Sequence, residues 1–144
     1  MIFRLPELKD EAVLRAAHDE LEQEKLGSDF LLDGFSEDLA FDEYISRVQN
    51  SHSGIHLLQN RVPSTFLVLE VDGEIVGRVS IRHELNDWLA TYGGHIGYAV
   101  RPGHRRKGYA KLLLAEGLSL CASLGIPKAL LFAGSLGRCA LLAD

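Results

Sequence analysis

Cysteine is scarce in this 144-residue chain. Cys121 and Cys139 are the two present, and their separation fits neither a metal-ligand nor a redox spacing. A disulfide framework and a cysteine-built zinc site are therefore excluded, and both thiols are expected to stay reduced. Long apolar runs are absent as well. No segment approaches the roughly 20 residues of a membrane span, and Met1 to Asp10 lacks the apolar core of a secretory leader. The expectation is a soluble, cytoplasmic protein with no membrane partner. Positive charge is also in short supply: 15 Lys and Arg stand against 20 Asp and Glu, for a net charge of −5. Residues 1–60 hold 13 acidic and 5 basic side chains (−8), and the remainder holds 7 and 10 (+3). An acidic first half argues against general nucleic-acid binding, which needs a broad basic face. Repeats, low-complexity tracts and linkers are missing too, so residues 1–144 are expected to form one domain with an ordinary globular balance of 47% hydrophobic and 24% charged residues.

What is present reads as alternating strands and helices. Ile2 to Leu5 predicts a short strand stopped by Pro6. Glu7 to Lys25 predicts a helix with Leu14, Ala17 and Leu21 as its apolar stripe. Gly27 to Phe35 predicts a loop. Ser36 is the expected N-cap of a second helix, whose Phe41, Tyr44, Ile45 and Val48 recur at helical spacing. Ser64 to Val71 and Glu74 to His83 predict two strands joined by Asp72-Gly73, a strong two-residue hairpin signal. In the second strand Val79 and Ile81 alternate with Arg78, Ser80 and Arg82, which predicts one buried and one wet face. Glu84 to Tyr92 predicts a connection. His95 to Val100 predicts a strand, Arg105 to Leu124 a helix ended by Gly125 and Pro127, and Lys128 to Phe132 a last strand.

The most informative stretch is Gly93 to Ala110. A buried strand runs into the basic turn Arg101-Pro102-Gly103-His104-Arg105-Arg106-Lys107-Gly108 and then into a helix. Amide groups at a helix start are unpaired and carry partial positive charge. Arg105, Arg106 and Lys107 would oppose that dipole unless an anion is bound between them, and Gly108 lets backbone approach a ligand closely. The chemistry is that of a diphosphate cradle.

Arg105-Arg106-Lys107-Gly108-Tyr109-Ala110 resembles the Arg/Gln-x-x-Gly-x-Gly/Ala pattern of the GNAT-type N-acetyltransferase superfamily. Gly97-Tyr98-Ala99-Val100-Arg101-Pro102 looks like that family's central strand, and the Asp72-Gly73 hairpin precedes it as in the family. The resemblance covers about residues 1–132. It implies an α/β (α+β) fold with a mixed, mostly antiparallel sheet flanked by helices. It also implies acetyl-CoA as cofactor and direct transfer of the acetyl group to a primary amine on a small molecule or peptide. In cofactor binding, backbone groups of Arg105, Arg106, Lys107, Gly108, Tyr109 and Ala110 would hold the pyrophosphate. Tyr98, Ala99 and Val100 would face the pantetheine arm, with the Val100 amide on the thioester carbonyl.

An attacking amine must be neutral, so a proton acceptor is expected. His95 on the central strand and Glu84 at the hairpin end are the candidates, with a core hydrogen bond and a solvated carboxylate as their respective structural alternatives. His83 alternates with Glu84, so only one of the two is expected to face the site. Tyr98 and Tyr109 are candidates to protonate the leaving thiolate, with packing as the competing role. His52 and His56, four apart, are separated by Gly54 and lack a third ligand, so no metal is expected. Trp88, Leu89 and Tyr92 either cover the core or line the acceptor groove. Glu37, Asp38, Asp42 and Glu43 would suit a cationic acceptor if they border that groove.

Residues 133–144 depart from the family pattern, with Gly134, Ser135 and Gly137 before an apolar tail. The expectation is a C-terminally truncated domain lacking the family's last helix and hairpin, with a homodimer as one means of completing the sheet. Three readings stay open. One is an active N-acetyltransferase, and another is a non-catalytic acyl-CoA-binding or partner-binding relic of that fold. The third, a nucleotide-phosphate binder of another fold, is weakened by the absence of a Gly-x-x-x-x-Gly-Lys-Ser/Thr loop.

Overall fold

The computed structural model describes residues 1–25, 29–90, 94–133 and 138–143. Six strands form one sheet in chain order: β1 (Ile2–Arg4), β2 (Ser64–Val71), β3 (Glu74–Arg82), β4 (Ile96–Val100), β5 (Lys128–Ala133) and β6 (Arg138–Ala143). Neighbours are antiparallel except β4 and β5, which run parallel. This is the mixed, mostly antiparallel sheet that the family resemblance implies. Helices α1 (Glu11–Glu24) and α2 (Phe41–Ser53) cover one face, and α3 (Tyr109–Ser123) covers the other.

The apolar stripes explain the layers. Leu14, Ala17 and Leu21 of α1 meet Phe41, Tyr44, Ile45 and Val48 of α2 over Phe66 and Val68 of β2. On the opposite face Leu113 and Cys121 of α3 pack with Val79, Ile81 and Ile96. Asp72 and Gly73 join β2 to β3 with φ of 52° and 81°, as a type I′ hairpin turn requires.

Four expectations are corrected. Helix α2 starts at Phe41, five residues beyond Ser36, because the Arg15 guanidinium takes the carbonyls of Glu37 (3.4 Å) and Leu39 (3.1 Å) and Ala40 is extended. Helix α3 starts at Tyr109 rather than Arg105, because Arg106 and Gly108 are left-handed. Strand β3 has no wet face: Arg78 and Ser80 are buried, and the segment at Asp29 and Phe30, between α1 and α2, lies against Arg78 where the alternation predicts solvent. Residues 138–143 extend the sheet beside β5, so the tail carries a sixth strand. Parts of the predicted Gly27–Phe35 loop and Glu84–Tyr92 connection, including Tyr92, lie outside the described residues.

Candidate active site

Strands β4 and β5 touch at one residue pair, Ile96 with Leu131. His95 closes the junction from below. Its N–H donates to the Leu130 carbonyl (2.7 Å), and its Nδ1 accepts the Leu130 N–H (2.9 Å). Beyond Ile96 the strands part. Arg101 N–H donates to Val76 of β3, and antiparallel ladders alternate sides, so the N–H and C=O of Tyr98 and Val100 point away from β3 into the gap. A central strand thus presents an open edge, on which Arg105 takes the Val100 carbonyl while the Val100 N–H and the Tyr98 backbone groups face the gap.

A cavity of about 440 Å³ lies at the mouth of this gap. Tyr98, Ala99, Val100, Arg105, Arg106, Gly108, Tyr109 and Ala110 all line it, whereas Lys107 does not. A 3-10 turn over Pro102–His104 and left-handed residues at Arg106 (φ 63°) and Gly108 (φ 86°) shape the loop that precedes α3. Such a loop gathers backbone amides into an anion-binding concavity at a positive helix end. Space around Gly108 is open: an added β-carbon would meet no atom beyond its chain neighbours within 4 Å.

The basic residues divide into two kinds. Arg105 donates to both carboxylate oxygens of Glu24 (2.6 and 2.8 Å) and through Nε to the Val100 carbonyl (3.2 Å). The hydrogen bonds hold the Glu24 carboxyl below its ordinary pKa and push Arg105 up. Arg101 makes the same fork with Glu20 (2.8 and 3.2 Å) one helical turn earlier. These pairs fasten α1 to the loop. Arg106 and Lys107 are exposed and form no ion pair among the described residues.

A second cleft, of about 720 Å³, opens between the loop after α1, the approach to β2 and the end of β3. Asp29, Leu32, Asp33, Arg61, Arg82, Trp88 and Leu89 are among its walls. Two buried groups hold the loop: His18 Nδ1 accepts the Leu31 N–H (3.2 Å), and Arg78 donates to the carbonyls of Phe30 (3.0 Å) and Asp29 (2.6 Å). Burial pushes the Asp33 carboxyl up, against the opposing pull of the Ser51 hydroxyl (3.2 Å) and of Arg61, Arg82 and Arg47. Neither Asp33 nor the two arginines of β3 stands out in the sequence. Two charges alternating with Val79 and Ile81 look like a solvated strand face, and only the covering layer makes them unusual.

The predicted catalytic residues are scattered. Glu84 is exposed and, like His95, lines neither cavity. The Leu130 N–H can only donate, so His95 Nδ1 carries its lone pair toward Leu130 and Nε2 holds the proton. Burial, then Arg82, pushes the His95 pKa down and keeps the ring neutral. In that state His95 offers a donor, not a base. Tyr98 is 37% exposed and lines the first cavity, as does Tyr109. His52 and His83 flank the Thr65 hydroxyl at 3.0 and 2.8 Å, while His56 is exposed. Trp88 is exposed on the wall of the second cleft, whereas Glu37, Asp38, Asp42 and Glu43 line neither cavity.

A sheet whose two parallel central strands part beside a basic loop and helix start defines an acyl-CoA acyltransferase fold. A family model for the acetyltransferase (GNAT) family matches residues 29–139, and the chain belongs to that family. The fold matches a GNAT-family acetyltransferase from Streptococcus pneumoniae with a TM-score of 0.57 and 25% identity, over 87% of this chain and 68% of that one. A GNAT-family acetyltransferase from Brucella melitensis, solved in complex with acetyl-CoA, aligns with a TM-score of 0.54 and 17% identity over 99% of this chain and 86% of that one. A predicted acetyltransferase from Clostridium acetobutylicum, also with acetyl-CoA, gives 0.52 and 20% over 95% and 83%. No curated protein matches the sequence. No helix among the described residues is long and apolar enough to cross a membrane.

Proposed function

We propose that this chain is an N-acetyltransferase that moves an acetyl group from acetyl-CoA to a primary amine held in the 720 Å³ cleft. The observation that carries the reading is the parting of β4 from β5 beside the 440 Å³ cavity. A free strand edge suits an amide-bearing arm, and the loop amides with Arg106 suit a pyrophosphate at the end of that arm. Lys107, outside the lining, adds its charge at longer range. Acetyl-CoA supplies the activated thioester.

In the reaction the amine nitrogen bonds to the carbonyl carbon, the carbon–sulfur bond breaks, and one proton passes in net from nitrogen to sulfur. The Val100 N–H stabilises charge gathering on the carbonyl oxygen. Asp33, a carboxylate with a raised pKa on the wall of the acceptor cleft, takes the amine proton directly or through water. Tyr98 returns a proton to the thiolate. His95 is a positioning residue that pins β5 to β4 where the gap begins.

The test is calorimetric titration of the chain with acetyl-CoA beside an Arg106→Glu, Gly108→Asp double variant. Binding at micromolar concentration that the variant loses, followed by transfer to amines, is the expected result. Binding without transfer to any amine would favour the non-catalytic relic, and no binding by a folded chain would remove both readings.

A further inference from the structure

Two cations stand at and behind the strand wall of the second cleft with no salt bridge to a carboxylate among the described residues. Arg78 is 5% exposed. Its Nε and Nη2 are spent on backbone carbonyls, and its Nη1 is buried with no hydrogen-bond partner. Arg82, four residues on and on the same face of β3, lines the cleft, and its guanidinium makes no hydrogen bond or ion pair among the described residues. The two side chains meet over Gly97. A β-carbon there would lie 3.2 Å from Arg82 Nη1 and 3.5 Å from Arg78 Nη1.

Such an arrangement is costly. Buried charges are normally paired, and an unpaired buried donor loses its hydration with nothing in return. Burial and the neighbouring Arg82 push Arg78 down to about 10, and burial and Arg61 lower Arg82. Asp29 and Asp33 offset this only in part and through space, and neither forms a salt bridge with Arg78 or Arg82 among the described residues. Asp33 is bound to Ser51, and Asp29 offers Arg78 its carbonyl. The cleft therefore carries both signs apart: Asp29 and Asp33 on the loop side, arginine donors on the strand side.

We propose that the acceptor is a zwitterion, an amino acid or a close analogue, whose oxyanion is bound by Arg82 with Arg78 behind it while its amino group faces Asp33. A planar fork of donors suits a carboxylate or a phosphonate equally, and both are bound through two oxygens. Polyamines and plain amines are disfavoured because they leave the arginines unpaired. The assignment of this cleft to the acceptor rests on the acetyltransferase reading above, but oxyanion binding is measurable without it.

The experiment uses sets of three probes that differ only in the anionic group: alanine, 1-aminoethylphosphonate and ethylamine, then phenylalanine, its phosphonate and phenethylamine. Each is titrated calorimetrically into the chain with coenzyme A present, and each is assayed for transfer from acetyl-CoA. The anionic members should bind at least about tenfold more tightly than the amines. Arg82→Gln should abolish that preference and Arg82→Lys should retain part of it, both with unchanged acetyl-CoA affinity. Because the Arg82 guanidinium makes no hydrogen bond among the described residues, these variants should fold. Carboxylate and phosphonate arms show which oxyanion is preferred.

Amines bound as well as, or better than, their anionic partners would overturn the proposal, as would no binding by either class. Oxyanion binding lost in Arg82→Gln without any acetyl-CoA binding would uphold the site and remove the acetyltransferase reading. Transfer to amines that ignores the anionic group would do the reverse.

Discussion

Glu24 and Arg105 face each other fork to fork at 2.6 and 2.8 Å on the wall of the 440 Å³ cavity, 81 residues apart in sequence. A basic residue of the expected phosphate loop is thus already paired with an acid from α1. Glu24 puts negative charge where a pyrophosphate is expected, and Arg105 serves as a strut between α1 and the Val100 carbonyl.

Glu24→Gln should tighten acetyl-CoA binding by about three- to tenfold at low salt, since a like charge leaves the site and the Arg105 donors are released. The gain should shrink at high ionic strength. Thermal melting should barely move, because exposed ion pairs contribute little to stability. Titrations at two salt concentrations check this, and weaker binding by the variant would assign the pair to holding the cavity open.

Gly108→Ala separates strain from contact. Its φ of 86° costs a non-glycine residue about 1 kcal/mol, yet no atom lies within 4 Å of the added carbon. The melting point should fall modestly and acetyl-CoA affinity should fall further. Equal affinity in parent and variant would place the ligand away from this loop.

Asp33→Asn tests the acceptor cleft through pH. Burial raises the folded-state pKa of this carboxyl, so the folded chain holds the proton more tightly than the unfolded chain does. Its contribution favours folding fully below the ordinary carboxylate value of about 4 and is lost as pH rises through the raised value. Asparagine removes that loss, so the variant should melt at or above the parent at pH 7 while transfer falls by about 100-fold or more. Parent turnover should fall in acid as Asp33 takes up its proton. A destabilised but fully active variant would make Asp33 structural.

His95→Leu strands the Leu130 N–H, at a cost of about 1–3 kcal/mol. Burial and Arg82 depress the His95 pKa, so its stabilising contribution is present above the unfolded value of about 6.5 and lost as pH falls through the lowered one. Denaturant midpoints at pH 7.5 and pH 5 should show a variant that is weaker at the higher pH and has a shallower acid loss. A variant with parental stability and no turnover would return His95 to the chemistry.

Local signals were legible, and distant ones were not. Leu14, Ala17 and Leu21 announce α1, Asp72-Gly73 announces its hairpin, and Arg105 to Ala110 announces a loop that lines the first cavity at all but Lys107, because each depends on residues within a turn or two. The start of α2 was hidden because Arg15 reaches carbonyls 22 and 24 residues away. The burial of Arg78 was hidden because a strand's depth depends on what covers it, and here the cover is a loop 48 and 49 residues away. Asp33 was one acid among 13 in residues 1–60 until the fold placed it in a cleft with a raised pKa.

Helix α1 ends on one cavity, and the chain that follows it builds a wall of the other. Glu20 and Glu24 grip the loop of the first, and a few residues on, Asp29 and Phe30 lend their carbonyls to Arg78 beside the second. Occupancy of the first site bears on Glu24, and whatever moves the end of α1 moves the seat of the second. On the proposed acetyltransferase reading, the expected kinetic consequence is ordered entry, thioester first and amine second, so a dead-end analogue of the amine should inhibit uncompetitively against the thioester.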